Sequence, residues 1–225
     1  MKNEWKAIKT LLQQSCCKKK WVLSVMFICL GIVWKILSLS GRPEVAEDLS
    51  PLFFAAAGIM PMEILLVNDI SGFVKGSVLR KKIQTTMATK SMFAGTMISY
   101  LLYLTFLLIL GSVREEQPIV YLRVVLVYGV IVCFFGIGNV FLYKFFWAAM
   151  AGIYMICFCA GVAMGIFEDQ ISFVKYWKML PPVGCAIAAV FLIFAGCVIN
   201  LGMTRIFYKR NFSKSAFGAS MRKMV

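Results

Sequence analysis

Few side chains of this chain have the chemistry of an enzyme site. The sequence contains no histidine, which excludes Ser-His-Asp hydrolases, histidine-ligated zinc enzymes and haem sites with a histidine ligand. Glu115 and Glu116 are adjacent carboxylates, but Pro118 follows them closely and no histidine is present to complete a metal site. No G-x-x-x-x-G-K-[ST] motif occurs, so the chain lacks the loop that cradles nucleotide phosphates. We therefore predict that the chain is not an enzyme and binds no metal or cofactor itself.

A few polar residues lie within long apolar runs, where an ionisable side chain costs about 2.5–3.5 kcal/mol to insert into a membrane. Such residues are candidates for a transport pathway or for coupling between helices: Lys35, Glu63, Arg123, Asn139 and Asn200. Lys35 and Arg123 fall near the ends of their runs, where a long side chain can reach the membrane surface. Glu63 can pair with a basic residue of the N-terminal segment or the inner loop, or it can contact a substrate. The two asparagines can bond neighbouring helices or a ligand.

The elements that position these residues are membrane-spanning helices. Apolar residue types make up 61% of the 225 residues and charged types 15%, whereas soluble domains contain about 45–50% and about 25%. Six runs approach the ~20 residues that cross a bilayer as a helix: Trp21–Leu39, Pro51–Val67, Met92–Leu110, Ile119–Leu142, Phe145–Phe167 and Val183–Met203. We predict an all-α, single-domain polytopic membrane protein with six transmembrane helices within residues 1–225.

The basic residues set the orientation of these spans. With the N-terminus inside, the inner segments 1–20, 68–91, 143–144 and 204–225 hold 18 of the 24 Lys and Arg residues, as the positive-inside rule requires. Omitting the short second span would place 13 basic residues outside. We therefore predict cytoplasmic N- and C-termini and a basic cytoplasmic tail. The basic segments are expected to contact anionic lipid headgroups rather than nucleic acid.

Two inner segments have the pattern of surface-active helices. Lys2–Gln14, within segment 1–20, has apolar residues at helical spacing opposite its lysines: Trp5, Ile8, Leu11 and Leu12. This helix is expected to lie in the membrane interface, either as a plain anchor or as an elbow helix that receives force from a partner. In the loop 68–91, apolar residues adjoin the basic run Arg80–Lys82. That loop either forms a short helix on which another protein docks or lies on lipid.

This architecture resembles an ATP-binding-cassette type-2 permease, with six spans, an interfacial N-terminal helix and a longer first inner loop. The run Ser77–Thr86, SVLRKKIQTT, is similar to the inner loop of small Gram-positive members that export amphipathic peptides, such as the phenol-soluble modulin exporters. The resemblance implies a permease subunit of a bacterial plasma membrane that moves an amphipathic peptide or lipid-like molecule outward. It also implies a homo- or heterodimer of permease chains on two ATPase subunits, which bind Mg-ATP.

The resemblance assigns roles to particular segments. The loop around residues 72–86 would be the coupling helix that docks on the ATPase: Phe73, Val74, Ser77, Arg80, Lys81, Lys82, Gln84 and Thr85. Residues 168–182 would form a short outer re-entrant segment. The fifth span would lie near the dimer axis, and it independently carries small residues at helical spacing: Ala148, Gly152, Gly161 and Gly165. Packing within the chain explains these four residues equally well.

A second class of function needs no ATPase. A membrane protein such as a bacteriocin-immunity factor would block or sequester a toxin by itself, and it would need no coupling helix. Scrambling Val74–Thr86 would therefore leave such a protein active, whereas the same change would inactivate a permease.

Overall fold

A computed structural model describes residues 18–40, 48–70, 80–113, 122–152, 154–155 and 181–209. The regular secondary structure of these residues is helical throughout, which confirms the predicted all-α fold for the part described. The long helices are α1 (Lys18–Ser40), α2 (Ser50–Ile70), α3 (Arg80–Val113), α4 (Val124–Lys144) and α5 (Pro182–Phe207). Residues 146–152 resume a helix after a break at Phe145.

The helices have the dimensions and surface of a membrane protein. α3, α4, α5 and the Lys20–Ser38 part of α1 are long and apolar enough to cross a bilayer, whereas the apolar helix Ser50–Leu66 within α2 is shorter. Large apolar side chains cover their outer faces, among them Val22, Ile98, Phe134, Phe191 and Ile206. Polar side chains are buried between the helices, among them Thr96, Asn139 and Asn200. An apolar exterior of this kind is compatible with lipid rather than with water.

The contacts between helices give their directions. Lys20, near the start of α1, contacts Glu63 of α2, while Lys35, near the end of α1, contacts Asp48 just before α2; α1 and α2 are therefore antiparallel. We call the end of the bundle where α1 begins the basic end. α2 ends there because it is antiparallel to α1. α4 and α5 also end there and α3 begins there, because Lys144 at the end of α4 contacts both the first turns of α3 and the last residue of α5. α4 and α5 thus run parallel, and α5 begins at the opposite end from the one where α4 ends.

Glycines allow two pairs of helices to approach closely. A methyl group placed on Gly95 of α3 would overlap the carbonyl oxygen of Gly58 in α2. The same change at Gly136 of α4 would overlap the carbonyl oxygen of Gly196 in α5. Small residues at such crossings let backbones pack directly, which is how helices associate in lipid without a hydrophobic driving force.

A proline inside α2 is compensated by a neighbouring helix. Pro61 has no N–H, so the carbonyl of Ala57 four residues earlier loses its usual helical donor. The Ser24 hydroxyl of α1 donates a 3.1 Å hydrogen bond to that carbonyl oxygen. In a membrane the free carbonyl would otherwise meet no water, so this side chain restores a bond that the α2 backbone cannot make. The contact also fixes α1 against the middle of α2.

The helix that contains the predicted third span begins earlier than that span. α2 continues to Ile70 and α3 begins at Arg80, twelve residues before the predicted span Met92–Leu110. Residues 80–91 contain buried polar side chains, of which Gln84 and Thr89 bond to other helices and Thr85 bonds to the carbonyl oxygen of Lys81. The 34-residue α3 is about 51 Å long at 1.5 Å per residue, well beyond the ~30 Å hydrocarbon layer.

Several predicted segments lie outside the described residues. These are residues 1–17, which include the predicted elbow helix, residues 168–180 of the outer segment 168–182, the tail beyond residue 209 and most of the fifth span. Only residues 145–152 and 154–155 of that span are described.

Candidate functional site

A cluster of buried polar side chains lies at the basic end, where α2, α3, α4 and α5 meet. It surrounds a cavity of about 10 Å³, which is the size of one water molecule. The polar residues that line the cavity come from α3, α4 and α5: Gln84, Asn139, Tyr143, Lys144, Asn200 and Thr204. Buried polar groups in a membrane bundle need partners, and several of these side chains find them on neighbouring helices.

Lys144 joins three helices within this cluster. It is the last residue of α4 and only 6% exposed. Its Nζ donates a 3.2 Å hydrogen bond to Oε1 of Gln84 in α3 and a 2.6 Å bond to the carbonyl oxygen of Phe207, the last residue of α5. A cation at the C-terminus of a helix also meets the negative end of the helix dipole. The charge of Lys144 is therefore stabilised by α3 and by the end of α5.

The two asparagines make contacts between helices. Thr89 of α3 donates a 3.2 Å hydrogen bond to Oδ1 of Asn200, and the Nδ2 of Asn200 donates one of 3.2 Å to the carbonyl oxygen of Gly136 in α4. Asn200 of α5 thus connects α3 to α4. The Nδ2 of Asn139 in α4 lies 4.0 Å from the sulfur of Met62 in α2. Both asparagines line the cavity, and these contacts tie them to neighbouring helices of the bundle.

A π-helical turn places Gln84 in the cluster. Residues Ile83–Met87 form this turn, and the backbone N–H of Ala88 donates to the carbonyl of Ile83, five residues earlier. The Thr85 hydroxyl donates a 2.6 Å bond back to the carbonyl oxygen of Lys81; such back-bonding by threonine bends helices. π-Turns inside α-helices occur frequently at functional sites. Here the turn separates the basic run Arg80–Lys82 from the transmembrane part of α3.

The predicted docking residues fall into three groups. Phe73, Val74 and Ser77 lie outside the described residues. Lys81 and Lys82 are exposed and Arg80 is half-buried; the Nζ of Lys81 lies 4.9 Å from the centre of the Tyr208 ring. Gln84 and Thr85 were predicted to face a partner, but they are buried at 2% and 3% exposure. Their side chains face inward because the π-turn packs against the bundle, so the exposed basic surface of α3 consists of Lys81 and Lys82.

Lys35 is buried against the beginning of α2. It is 4% exposed, and its Nζ lies 2.5 Å from Oδ2 of Asp48. The other carboxylate oxygen accepts the backbone N–H of Ser50 at 3.1 Å, and the hydroxyls of Ser50 and Tyr103 lie 2.9 Å apart. Lys35 is therefore part of a second polar cluster, which holds α1, α2 and α3 together at the end opposite the basic end.

Glu63 and Arg123 are the remaining polar candidates. Glu63 forms a 2.6 Å ion pair with Lys20, a residue that belongs to α1, and the Tyr143 hydroxyl of α4 is a further hydrogen-bonding neighbour. Glu63 thus links α1, α2 and α4 beside the cavity. Arg123 is half-buried directly before α4, at the opposite end of the bundle.

Ala148 and Gly152, the two predicted dimer residues that the structure describes, do not take part in the tight packing found among the described helices. Ala148 is exposed, and a methyl group on Gly152 would meet nothing within 4 Å. Gly161 and Gly165 lie outside the described residues, as do Trp5, Ile8, Leu11 and Leu12.

Lys144 was not among the predicted site residues. Its only sequence signal is a basic residue at the end of an apolar run, which equally marks the cytoplasmic end of an ordinary span. No family model, curated protein or solved structure matches this chain.

Proposed function

We propose that the chain is the permease subunit of an ATP-driven exporter of the ATP-binding-cassette type-2 class, moving an amphipathic peptide or lipid-like molecule outward. The observation that carries this proposal is the first part of α3. Its exposed lysines, Lys81 and Lys82, directly precede a π-turn whose buried Gln84 bonds to Lys144. A surface that a partner can push is thus connected within a few residues to the interior of the bundle.

The proposed mechanism is a change in the winding of this turn. Converting a π-turn to α-helix changes the register by one residue, which rotates the preceding residues by about 100° and moves them by about 1.5 Å. Gln84 and its bond to Lys144 favour the π-wound form. Docking and ATP-driven movement of a partner would favour the other form, and the ends of α4 and α5 would follow through Lys144 and Phe207. Two discrete arrangements of packed helices are the usual basis of such switching.

We further propose six spans with the basic end in the cytoplasm of a bacterial cell. Lys18, Lys81, Lys82, Arg205 and Lys209 are exposed at this end, in agreement with the positive-inside rule. α4 ends at the basic end whereas α5 begins at the opposite one, and the fifth span of this proposal would account for that difference. In this arrangement a second permease chain completes the pathway, and two ATPase subunits dock on the cytoplasmic side.

The test is co-purification from the native membrane after gentle detergent extraction, followed by mass spectrometry. We expect a cytosolic P-loop ATPase that is lost in K81E/K82E. The matched control is R205E, which reverses an exposed charge at the same end of the bundle and should retain the partner. Absence of any ATPase, or equal loss in both variants, would contradict the docking assignment. The first of these results would favour a protein that works without an ATPase, such as an immunity factor.

A further inference from the structure

α4 and α5 run parallel, and hydrogen bonds join them at two levels. At their crossing, the Nδ2 of Asn200 donates to the carbonyl oxygen of Gly136, 64 residues earlier in the chain. Nearer the basic end, the Nζ of Lys144 donates to the carbonyl oxygen of Phe207, 63 residues later. The two helices therefore keep nearly the same register from one level to the other.

Asn139 and Thr204 occupy the level between these two bonds. Thr204 lies 65 residues after Asn139, a register that differs by only one or two residues from that of the bonds. Asn139 follows Gly136 by three residues and Thr204 follows Asn200 by four, so each lies on the same helix face as the bonded residue. Both side chains are buried, and both line the cavity of about 10 Å³.

The polar groups at this level have hydrogen-bonding capacity that the described residues do not use. The Thr204 hydroxyl donates to the carbonyl oxygen of Leu201 at 3.0 Å, which leaves its own oxygen able to accept. Among the described residues, the Asn139 amide contacts the Met62 sulfur, 4.0 Å from its Nδ2, and sulfur is a weak acceptor. The Oδ1 of Asn139, a residue only 3% exposed, has no donor in this part of the chain, and an unpaired buried polar group is destabilising.

A water molecule fits this space in size and in chemistry. A cavity of about 10 Å³ is close to the smallest that holds one water, and buried waters make about three hydrogen bonds. Here the water can donate to the Oδ1 of Asn139 and to the hydroxyl oxygen of Thr204. It can accept the second N–H of the Asn200 amide, since the first is bonded to Gly136. The ammonium group of Lys144, which also lines the cavity, disfavours a metal cation in the same place.

We propose that one water molecule is bound in this cavity and joins α4 to α5 through Asn139, Thr204 and Asn200. It completes a series of three links between the two helices, in which the Asn200 bond to Gly136 and the Lys144 bond are the other two. The inference goes beyond the proposed function and does not depend on it, because it requires only the packing of α4 on α5.

X-ray hydroxyl-radical labelling of the detergent-purified chain tests this site, because a bound water that is split by a short X-ray pulse oxidises the side chains beside it. Met62 is 1% exposed and lines the cavity, whereas Met92 of α3 is 0% exposed and is not part of the described lining. We expect mass spectrometry of the wild type to find Met62 oxidised well above Met92.

Variants of the two bonding residues identify the source of this oxidation. N139L removes the acceptor with a side chain of similar size, and T204V replaces the hydroxyl with a methyl group. Each should lower the oxidation of Met62 to the level of Met92. The matched control T96V removes another buried threonine hydroxyl, whose bonds go to carbonyls of its own helix, and it should leave the oxidation of Met62 unchanged.

Two results would overturn the proposal. One is equal oxidation of Met62 and Met92 in the wild type, which would show that no water lies beside Met62. The other is oxidation of Met62 in N139L or T204V that is as high as in T96V, since water would then reach Met62 without the proposed bonds. Should N139L fail to fold, T204V keeps the test decisive, because valine has nearly the shape of threonine.

Discussion

Replacing Lys144 by methionine tests the junction on which the proposed coupling depends. Methionine keeps a similar length and removes the charge together with the hydrogen bonds to Gln84 and to the carbonyl oxygen of Phe207. Hydrogen bonds from a charged donor contribute about 1.5–3 kcal/mol, and a cation at a helix C-terminus adds about 0.3–1 kcal/mol. Relief of the cost of burying an ammonium group offsets part of this loss. We expect K144M to lower the free energy of unfolding by about 2–3 kcal/mol.

A double-mutant cycle isolates the bond between Lys144 and Gln84. Q84L should lower the free energy of unfolding by about 1 kcal/mol more in the wild type than in K144M, because the 3.2 Å bond is already absent from K144M. The assay is unfolding of the purified chain by titration with a denaturing detergent, followed by circular dichroism. The control K82M changes an exposed lysine and should stay within about 0.5 kcal/mol of the wild type.

Two outcomes would refute this reasoning. One is a K144M variant as stable as K82M, since Lys144 would then not contribute through its buried bonds. The other is a cost of Q84L that is the same with and without Lys144. K144M should also retain the docked ATPase, because the exposed Lys81 and Lys82 are unchanged, while it loses ATP-driven export.

Further predictions concern the packing of the helices, each measured by the same unfolding assay. S24A should lower the free energy of unfolding by about 1 kcal/mol. This loss should disappear in a P61A background, where residue 61 regains an N–H for the free carbonyl of α2. An equal loss in both backgrounds would contradict the compensation of Pro61 by Ser24. G136V should destabilise by about 3 kcal/mol or more through overlap with α5, while G138V, where a side chain meets open space, should be tolerated. K35M should lower the free energy of unfolding by about 2–3 kcal/mol, because it leaves the largely buried carboxylate of Asp48 without its cation. A K35M variant as stable as the wild type would show that the ion pair is not stabilising.

The positions of α1 and α5 follow from the sequence because a membrane fixes the length of a span. The predicted runs Trp21–Leu39 and Val183–Met203 lie inside α1 and α5, which extend beyond them by one to four residues at each end. Hydropathy alone is sufficient there, since nearly every residue of the run is apolar. Gly136 lies at a helix crossing, whereas Gly138, two residues later, does not.

The start of α3 could not be predicted in the same way. Gln84, Thr85 and Thr89 are polar, and together with the basic run before them they have the hydropathy of a loop. They are nevertheless buried, because their hydrogen-bonding groups meet partners on other helices or on the preceding turn. A hydropathy scale gives the free energy of transferring each residue alone out of water, and it contains no information on such partners.

The buried cluster is difficult to predict for a related reason. Lys144 binds the backbone of Phe207, 63 residues later in the chain, and any residue type at position 207 would offer the same carbonyl group. Asn139 and Asn200 could be identified as candidates because polar residues stand out within apolar runs. Their partners, Met62, Thr89 and Gly136, depend on which helices pack together and in which direction.

Photo-crosslinking from position 81 in living cells tests most directly whether the chain is a permease driven by an ATPase. Lys81 is replaced by a benzophenone amino acid, and Ser112, which is exposed at the opposite end of α3, is replaced likewise as a control. We predict that ultraviolet light produces an adduct with a cytosolic P-loop ATPase from position 81 and none from position 112. Adducts from position 81 that contain only lipid or membrane proteins would contradict the proposed function.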